Sequence, residues 1–175
     1  MAEADLKSIA DLLKTQDEVM SRTRGTSMRP LLRQGRDIVV IKRPEFPLKA
    51  GDVPLYRVKG KKELVLHRIL KVREDGVYII RGDNLFVKEH VAESQIVGVM
   101  KAFYRDGKYC DCEKSHKYRV YIFLNRAAYP ARYLWKCILR PKLAGIYKKI
   151  FRRAGLISNA EENIDKNAEE NIDKM

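Results

Sequence analysis

Ser27, His67, Asp83 and Glu89 are the residues of this sequence whose types and order could perform acyl-transfer chemistry. Ser27 stands in Gly25-Thr26-Ser27-Met28-Arg29-Pro30, a few residues before the hydrophobic run "DIVVIK". A nucleophilic serine needs an exposed hydroxyl, backbone N–H groups to receive an oxyanion, and a base within hydrogen-bond reach. Gly25 permits the tight backbone that exposes such a hydroxyl, and Pro30 fixes the chain just beyond it. Of His67, His90 and His116, only His67 falls within a predicted strand, "LVLHRIL". Alternation there puts Val65, His67 and Ile69 on one face, and Leu64, Leu66, Arg68 and Leu70 on the other. A third group to orient the imidazole is available in Asp83 of "RGDN" or in Glu89, six residues on. Taken singly, each has a plainer reading: a turn serine, a strand histidine at the rim of a core.

The elements that must position these residues follow from periodicity. Leu6, Ile9, Leu13 and Met20, widened by Leu12 and Val19, predict an amphipathic helix over 4–21. From Asp37 to Tyr104 the pattern turns to short β-rich runs, "DIVVIK", "DVPLYRV", "ELVLHRILKV", "GVYIIRG" and "QIVGVMKAFY", divided by Gly, Pro and charged turns. Five or more strands in so short a span predict a compact, coiled antiparallel sheet or small barrel. Pro54 calls for an edge or a bulge in the second run. Beyond Cys112, Val120, Phe123, Leu124, Ala127, Ala131, Leu134, Trp135 and Ile138 follow a helical period, with Pro130 and Pro141 set to kink or divide it.

The fold class expected is therefore mainly β (α+β), with an N-terminal helix and C-terminal basic amphipathic helices. The corresponding organisation is an N-terminal helix over 1–23, a β domain over 24–112, a basic helical segment over 113–157 and an acidic repeat tail over 158–175. That tail carries "NAEENIDK" twice, a low-complexity extension expected to be disordered.

Charge is distributed unevenly. The chain has a net charge of +13, and residues 1–159 alone carry +17. No acid occurs between Glu113 and Glu161, where twelve Lys or Arg stand. A helix with aromatics on one face and Lys/Arg on the other suits an anionic membrane surface; a helix packed on the β core with a solvated basic face fits the same pattern. Nucleic acid is the less favoured anionic partner, since no helix-turn-helix precedes residue 24. Cys110, Cys112 and Cys137 form no disulfide framework, and Cys110-Asp111-Cys112 is too short a spacing for a zinc knuckle. No metal and no cofactor are expected. Five acids within the first twenty residues argue against a secretory signal, and no run reaches the ~18–20 apolar residues that span a bilayer. A cytoplasmic location, peripheral to the membrane, is the corresponding expectation.

Together these blocks carry a resemblance. "GTSMRPLLRQGRDIVV", "AGDVPLYRV", "LVLHRILKV", "GVYIIRGDNL" and "QIVGVM" resemble, in order and spacing, the successive blocks of the type I signal peptidase superfamily, which includes the LexA-like self-cleaving repressors. The resemblance covers residues 24–103. Its bacterial and LexA-like members use a lysine base, whereas the archaeal and endoplasmic-reticulum signal peptidases use a histidine; His67-Arg68 places this chain near the histidine branch. The resemblance implies a signal peptidase/LexA-type fold, Ser27 as nucleophile, His67 as general base, and Asp83 or Glu89 as the supporting acid. It also implies an oxyanion site from the Ser27 N–H with a neighbour in Gly25-Thr26. Gly25 stands where signal peptidases commonly carry a hydroxyl, and the usual membrane anchor ahead of the serine is not expected in residues 1–26, which hold no long apolar run. The implied activity is a serine endopeptidase that cleaves a leader-type peptide or a dedicated partner protein. A non-catalytic peptide-binding module on the same fold and a basic, LexA-like nucleic-acid regulator are the alternatives.

Overall fold

The computed structural model describes residues 2–61 and 63–153. The acidic tail expected over 158–175 lies outside the described residues. Two compact units adjoin in sequence at Arg126 and Ala127.

The first unit is built on nine described strands, all paired antiparallel: β1 (Glu18–Arg22), β2 (Ile38–Lys42), β3 (Pro54–Arg57), β4 (Leu64–Leu66), β5 (Arg68–Val72), β6 (Tyr78–Arg81), β7 (Glu89–Val91), β8 (Ile96–Arg105) and β9 (Lys108–Asp111). Strands β1-β2-β8-β3-β4 lie side by side, with β9 added to β8, and β5-β6-β7 make a second sheet. Two helices accompany them, α1 (Ala2–Thr15) and α2 (His116–Ala127). The architecture is mainly antiparallel β with a few helices, the class expected from the alternating runs.

Strand β8 is the spine of the larger sheet: it pairs β2 over residues 99–104, β3 over 96–99 and β9 over 102–105. Pro54 opens β3, a strand held between β4 and β8, and a bulge follows at Leu55/Tyr56 in the β3–β8 pairing. The lost N–H of proline is thus placed at a strand's first residue, beside an irregularity. Gly98 on β8 is fixed by close approach: a Cβ there would stand 2.5 Å from Ile41 Cγ2 and 3.0 Å from Leu13 Cδ1. The bare backbone lets α1 seat Leu13 on the sheet.

The helix expected over 4–21 stops at Thr15, and residues 18–22 form β1 instead. Val19 is buried while Met20 is 63% exposed, the alternation of a half-buried strand. Pairing with β2 from Glu18↔Lys42 to Arg22↔Ile38 outweighs local helical periodicity here.

Two apolar clusters fill the unit. One gathers Leu13, Val19, Met28, Leu31, Leu32 and Phe103 under α1 and α2; the other packs Tyr56, Ile69, Tyr78, Ile80 and Val91 where the two sheets meet. Helix α2 turns Tyr118, Tyr121 and Ile122 to the first cluster and leaves Val120, Phe123 and Leu124 exposed.

The second unit is described as α3 (Tyr129–Tyr133), a π-helical turn (Leu134–Leu139) and α4 (Arg140–Arg153). Pro130 sits in the first turn of α3, where its missing N–H costs little. Pro141 follows directly on the π-turn, where the regular i→i−4 ladder is already rearranged. Among the described residues no helix is long and apolar enough to cross a membrane.

Candidate active site

Ser27 is carried on a loop whose ends are tied together. Thr23 Oγ1 donates to the carbonyls of Arg33 (2.7 Å) and Asp37 (3.1 Å), and Gly35 N–H donates back to the Thr23 carbonyl at 2.8 Å. The fully buried Asp37 accepts from the Arg33 backbone N–H at 2.8 Å and from its guanidinium at 2.7 Å. Met28, Leu31 and Leu32 hang from this loop into the core, so its tip is pinned from beneath. Ser27 is half-buried at that tip; Gly25 and Thr26 are exposed, and Gly25 has a φ of +74°. That left-handed backbone is accessible to glycine at no steric cost, and it turns the chain immediately before the serine.

A second loop closes on the first. Asn84 N–H donates to the Ser27 carbonyl at 2.8 Å, and Asn84 Nδ2 reaches the Thr26 carbonyl at 3.4 Å. Beside them, a Cβ added to Gly82 would stand 2.8 Å from the Ser27 carbonyl oxygen and 3.1 Å from His67 Cδ2. The Ser27 carbonyl and His67 Cδ2 therefore both lie against the bare Cα of Gly82.

His67 occupies the corner where the chain leaves the larger sheet at Leu66 and enters the smaller one at Arg68. The residue is 4% exposed. Its Nδ1 lies 3.1 Å from Glu89 Oε1 and 3.0 Å from the Tyr56 hydroxyl, while that hydroxyl donates to Glu89 Oε2 at 2.9 Å. Tyrosine has a single hydroxyl proton, and it goes to Glu89. Nδ1 must then carry the ring proton, shared between Glu89 Oε1 and the Tyr56 oxygen, so the neutral imidazole presents its lone pair at Nε2. Burial drives the His67 pKa below the ordinary 6.5, against the opposing pull of Glu89 and, more weakly, of Asp83. The ring is thus held neutral at physiological pH and poised to take a proton. Burial, with the hydrogen bond to Glu89, also pushes the Tyr56 hydroxyl well above its usual value, so it stays protonated as a donor.

Asp83, the other candidate acid, is engaged elsewhere. Arg68 grips it with two parallel bonds, Nε to Oδ1 and Nη2 to Oδ2, both 2.8 Å, and Tyr121 donates to Oδ2 at 2.9 Å. The same guanidinium donates to the Gly51 carbonyl and the Tyr118 hydroxyl, each at 2.8 Å. It also lies over both tyrosine rings, with centroids at 5.4 and 5.8 Å. Arg68 and Asp83 are almost wholly buried. Burial opposes the charge on Arg68, yet Asp83 prevails and its pKa is raised. The pair fastens α2 to the strand that leads away from His67.

Of the residues singled out in the sequence, the structure brings Glu89 to His67, sets Gly82 beside both the Ser27 carbonyl and His67 Cδ2, and sets Asp83 on Arg68. Tyr56, Arg68, Tyr118 and Tyr121 are members that motif reading missed. A signal for the first was present: "DVPLYRV" pairs with "ELVL" so that Tyr56 opposes Val65, two residues before His67. Cysteine chemistry does not compete here, because burial pushes the Cys112 thiol up to about 12 and leaves it protonated.

Comparison with known proteins finds relatives that match part of the chain. The chain is 31% identical over 62 residues to the putative signal peptidase complex catalytic subunit of Homo sapiens, a match covering 33% of this chain and 37% of that protein. It is 36% identical over 62 residues to the signal peptidase complex catalytic subunit of Dictyostelium discoideum, covering 33% and 34% respectively. The chain thus spans about a third of the length of the curated relatives it matches. No protein-family model matches the sequence. The chain is similar to signal peptidase catalytic subunits.

Proposed function

We propose that this protein is a serine endopeptidase of signal-peptidase type, with Ser27 as nucleophile, His67 as general base and Glu89 as the acid that supports it. The observation that carries the reading is the single tautomer imposed on His67. Glu89 and Tyr56 hold the proton on Nδ1, which leaves Nε2 to accept one, and Gly82 lies against both the Ser27 carbonyl and the ring's Cδ2. In the first step Ser27 Oγ attacks the scissile carbonyl while its proton passes to His67 Nε2. The imidazolium is stabilised by Glu89, whose carboxylate remains ionised. The oxyanion is received by the Ser27 N–H with a neighbouring N–H of Gly25-Thr26. Collapse breaks the C–N bond, and the leaving amine takes the proton from Nε2. A water, deprotonated by the same nitrogen, then attacks the ester and releases Ser27. The substrate is a leader-type peptide or a dedicated partner protein.

A fluorophosphonate probe, which phosphonylates activated serines with loss of fluoride, tests the reading without knowledge of the substrate. Labelling of the wild type, abolished in Ser27→Ala and reduced at least a hundredfold in His67→Ala, is expected. A folded wild type that takes no label is a binding module, and label that persists in Ser27→Ala places the nucleophile elsewhere.

A further inference from the structure

The described helices after residue 126 present an apolar face that no described residue of this unit covers. Leu134, Trp135, Leu139, Leu143, Ile146 and Ile150 are all between 40 and 57% exposed, too large a set for scattered surface apolar residues. The π-turn at Leu134–Leu139 gives the set its geometry. In an unbroken α-helix Leu143, Ile146 and Ile150 would stand about 120–180° around the axis from Leu134. One residue absorbed in a π-turn rotates everything after it back by about 100°, bringing all three within about 80° of Leu134. The irregularity thus merges two short apolar stripes into one continuous face. Residues 127–153 contain eight Lys or Arg and no Asp or Glu. Lys142 and Lys149 flank the stripe on one side and Arg140 on the other.

We infer that this face lies in the plane of an anionic phospholipid surface, with the apolar stripe in the acyl–headgroup boundary and the flanking cations among the phosphates. Charge complementarity selects the occupant. A second copy docked on this face would bring its own Arg140, Lys142 and Lys149 against these three, whereas anionic headgroups neutralise them, and each adds to binding independently. Trp135 and Tyr147 suit the same depth, with an apolar ring body and a polar edge directed to the headgroups. The helix lies on the surface rather than through it, since no described helix is long and apolar enough to cross. This inference stands independently of the chemistry at Ser27.

Trp135 is the sole tryptophan, so its emission reports on this face alone. The full chain is titrated with vesicles of phosphatidylcholine, with and without phosphatidylglycerol. A blue shift that requires phosphatidylglycerol and weakens as salt is raised is expected. Lys142→Gln with Lys149→Gln, a surface change that leaves the stripe intact, lowers the vesicle affinity roughly 25-fold, about fivefold per charge. Ile146→Asp abolishes the shift while helicity by circular dichroism is retained. Absence of any shift at saturating lipid overturns the inference, as does an equal shift with neutral vesicles. A blue shift produced by concentrating the protein without lipid overturns it in favour of self-association.

Discussion

Replacing Glu89 by glutamine separates the two things a carboxylate can do for His67, which are to fix the tautomer and to stabilise the charge. The amide oxygen of glutamine can still accept Nδ1–H at the 3.1 Å now spanned, and its NH2 can face the Tyr56 oxygen, so the ring keeps its orientation. The charge is lost, and with it the carboxylate oxygen that accepts the Tyr56 O–H. An imidazolium and a carboxylate about 4 Å apart attract by about 4 kcal/mol at an effective dielectric of ~20 and about 1 kcal/mol in water. The Glu89 side chain is 31% exposed, so the effect falls between these limits, at about 2–3 kcal/mol. At 1.36 kcal/mol per decade this is roughly a 30- to 150-fold loss in the rate of Ser27 acylation. Glu89 opposes the downward shift of the His67 pKa, so the rising limb of the pH–rate profile also moves to lower pH in the variant. Second-order rates of fluorophosphonate labelling across the acid range give both quantities. Wild-type rates and an unmoved midpoint in Glu89→Gln, together with a large rate loss in Asp83→Asn at unchanged stability, would falsify the assignment of Glu89 and transfer the role to Asp83.

Four further outcomes follow from the same geometry. Asp83→Asn leaves Arg68 buried without its carboxylate and lowers unfolding free energy by about 3–5 kcal/mol, read by urea denaturation; a change below 1 kcal/mol would contradict the strut. Gly82→Ala pushes a methyl to 2.8 Å from the Ser27 carbonyl oxygen, displacing serine and imidazole relative to each other, and costs roughly a hundredfold in labelling rate at little change in the urea midpoint of the folded protein. Tyr56→Phe removes a donor to an ionised group, worth about 1.5–3 kcal/mol, so labelling slows roughly 10- to 150-fold, and an unaltered rate would show that Glu89 needs no second partner. The His67 pKa is depressed in the folded state, so between that value and 6.5 the unfolded chain binds more protons. Stability therefore rises with pH through this window and levels off above it, a slope that His67→Gln flattens in urea titrations at several pH values.

Alternation made much of this legible. The split of "LVLHRIL" into two faces reappears as Leu64 and Leu66 against one cluster and Val65 and Ile69 against the other. What periodicity could not carry was pairing at a distance. Residues 18–22 read as helix until the edge of β2 recruits them. The face of α2 was equally hidden. Counting apolar residues points to Val120, Phe123 and Leu124, yet the buried face holds Tyr118 and Tyr121, whose hydroxyls are required by Arg68 and Asp83. A buried polar network draws amphipathic residues inward where a hydropathy scale sends them out.

The same reasoning separates the two carboxylates, of which the motif context of "RGDN" favours Asp83 while the structure brings Glu89 to the imidazole. His67 and Arg68 are consecutive, so in extended backbone their side chains leave on opposite faces. The corner between the sheets keeps that divergence and gives each a separate carboxylate: Glu89 from β7 for the imidazole, Asp83 from the loop after β6 for the guanidinium. Had both acids met His67, two like charges in a buried site would have raised its pKa and kept it protonated at neutral pH. Arg68 pairs with Asp83, whose pull on His67 is the weakest of those acting there, and desolvation dominates and lowers the His67 pKa. The arginine that follows the histidine thus occupies the buried aspartate and leaves the imidazole to Glu89. Arg68→Met should raise the His67 pKa, moving the acid limb of the labelling profile upward, and an unmoved limb in a folded variant would refute that division of roles.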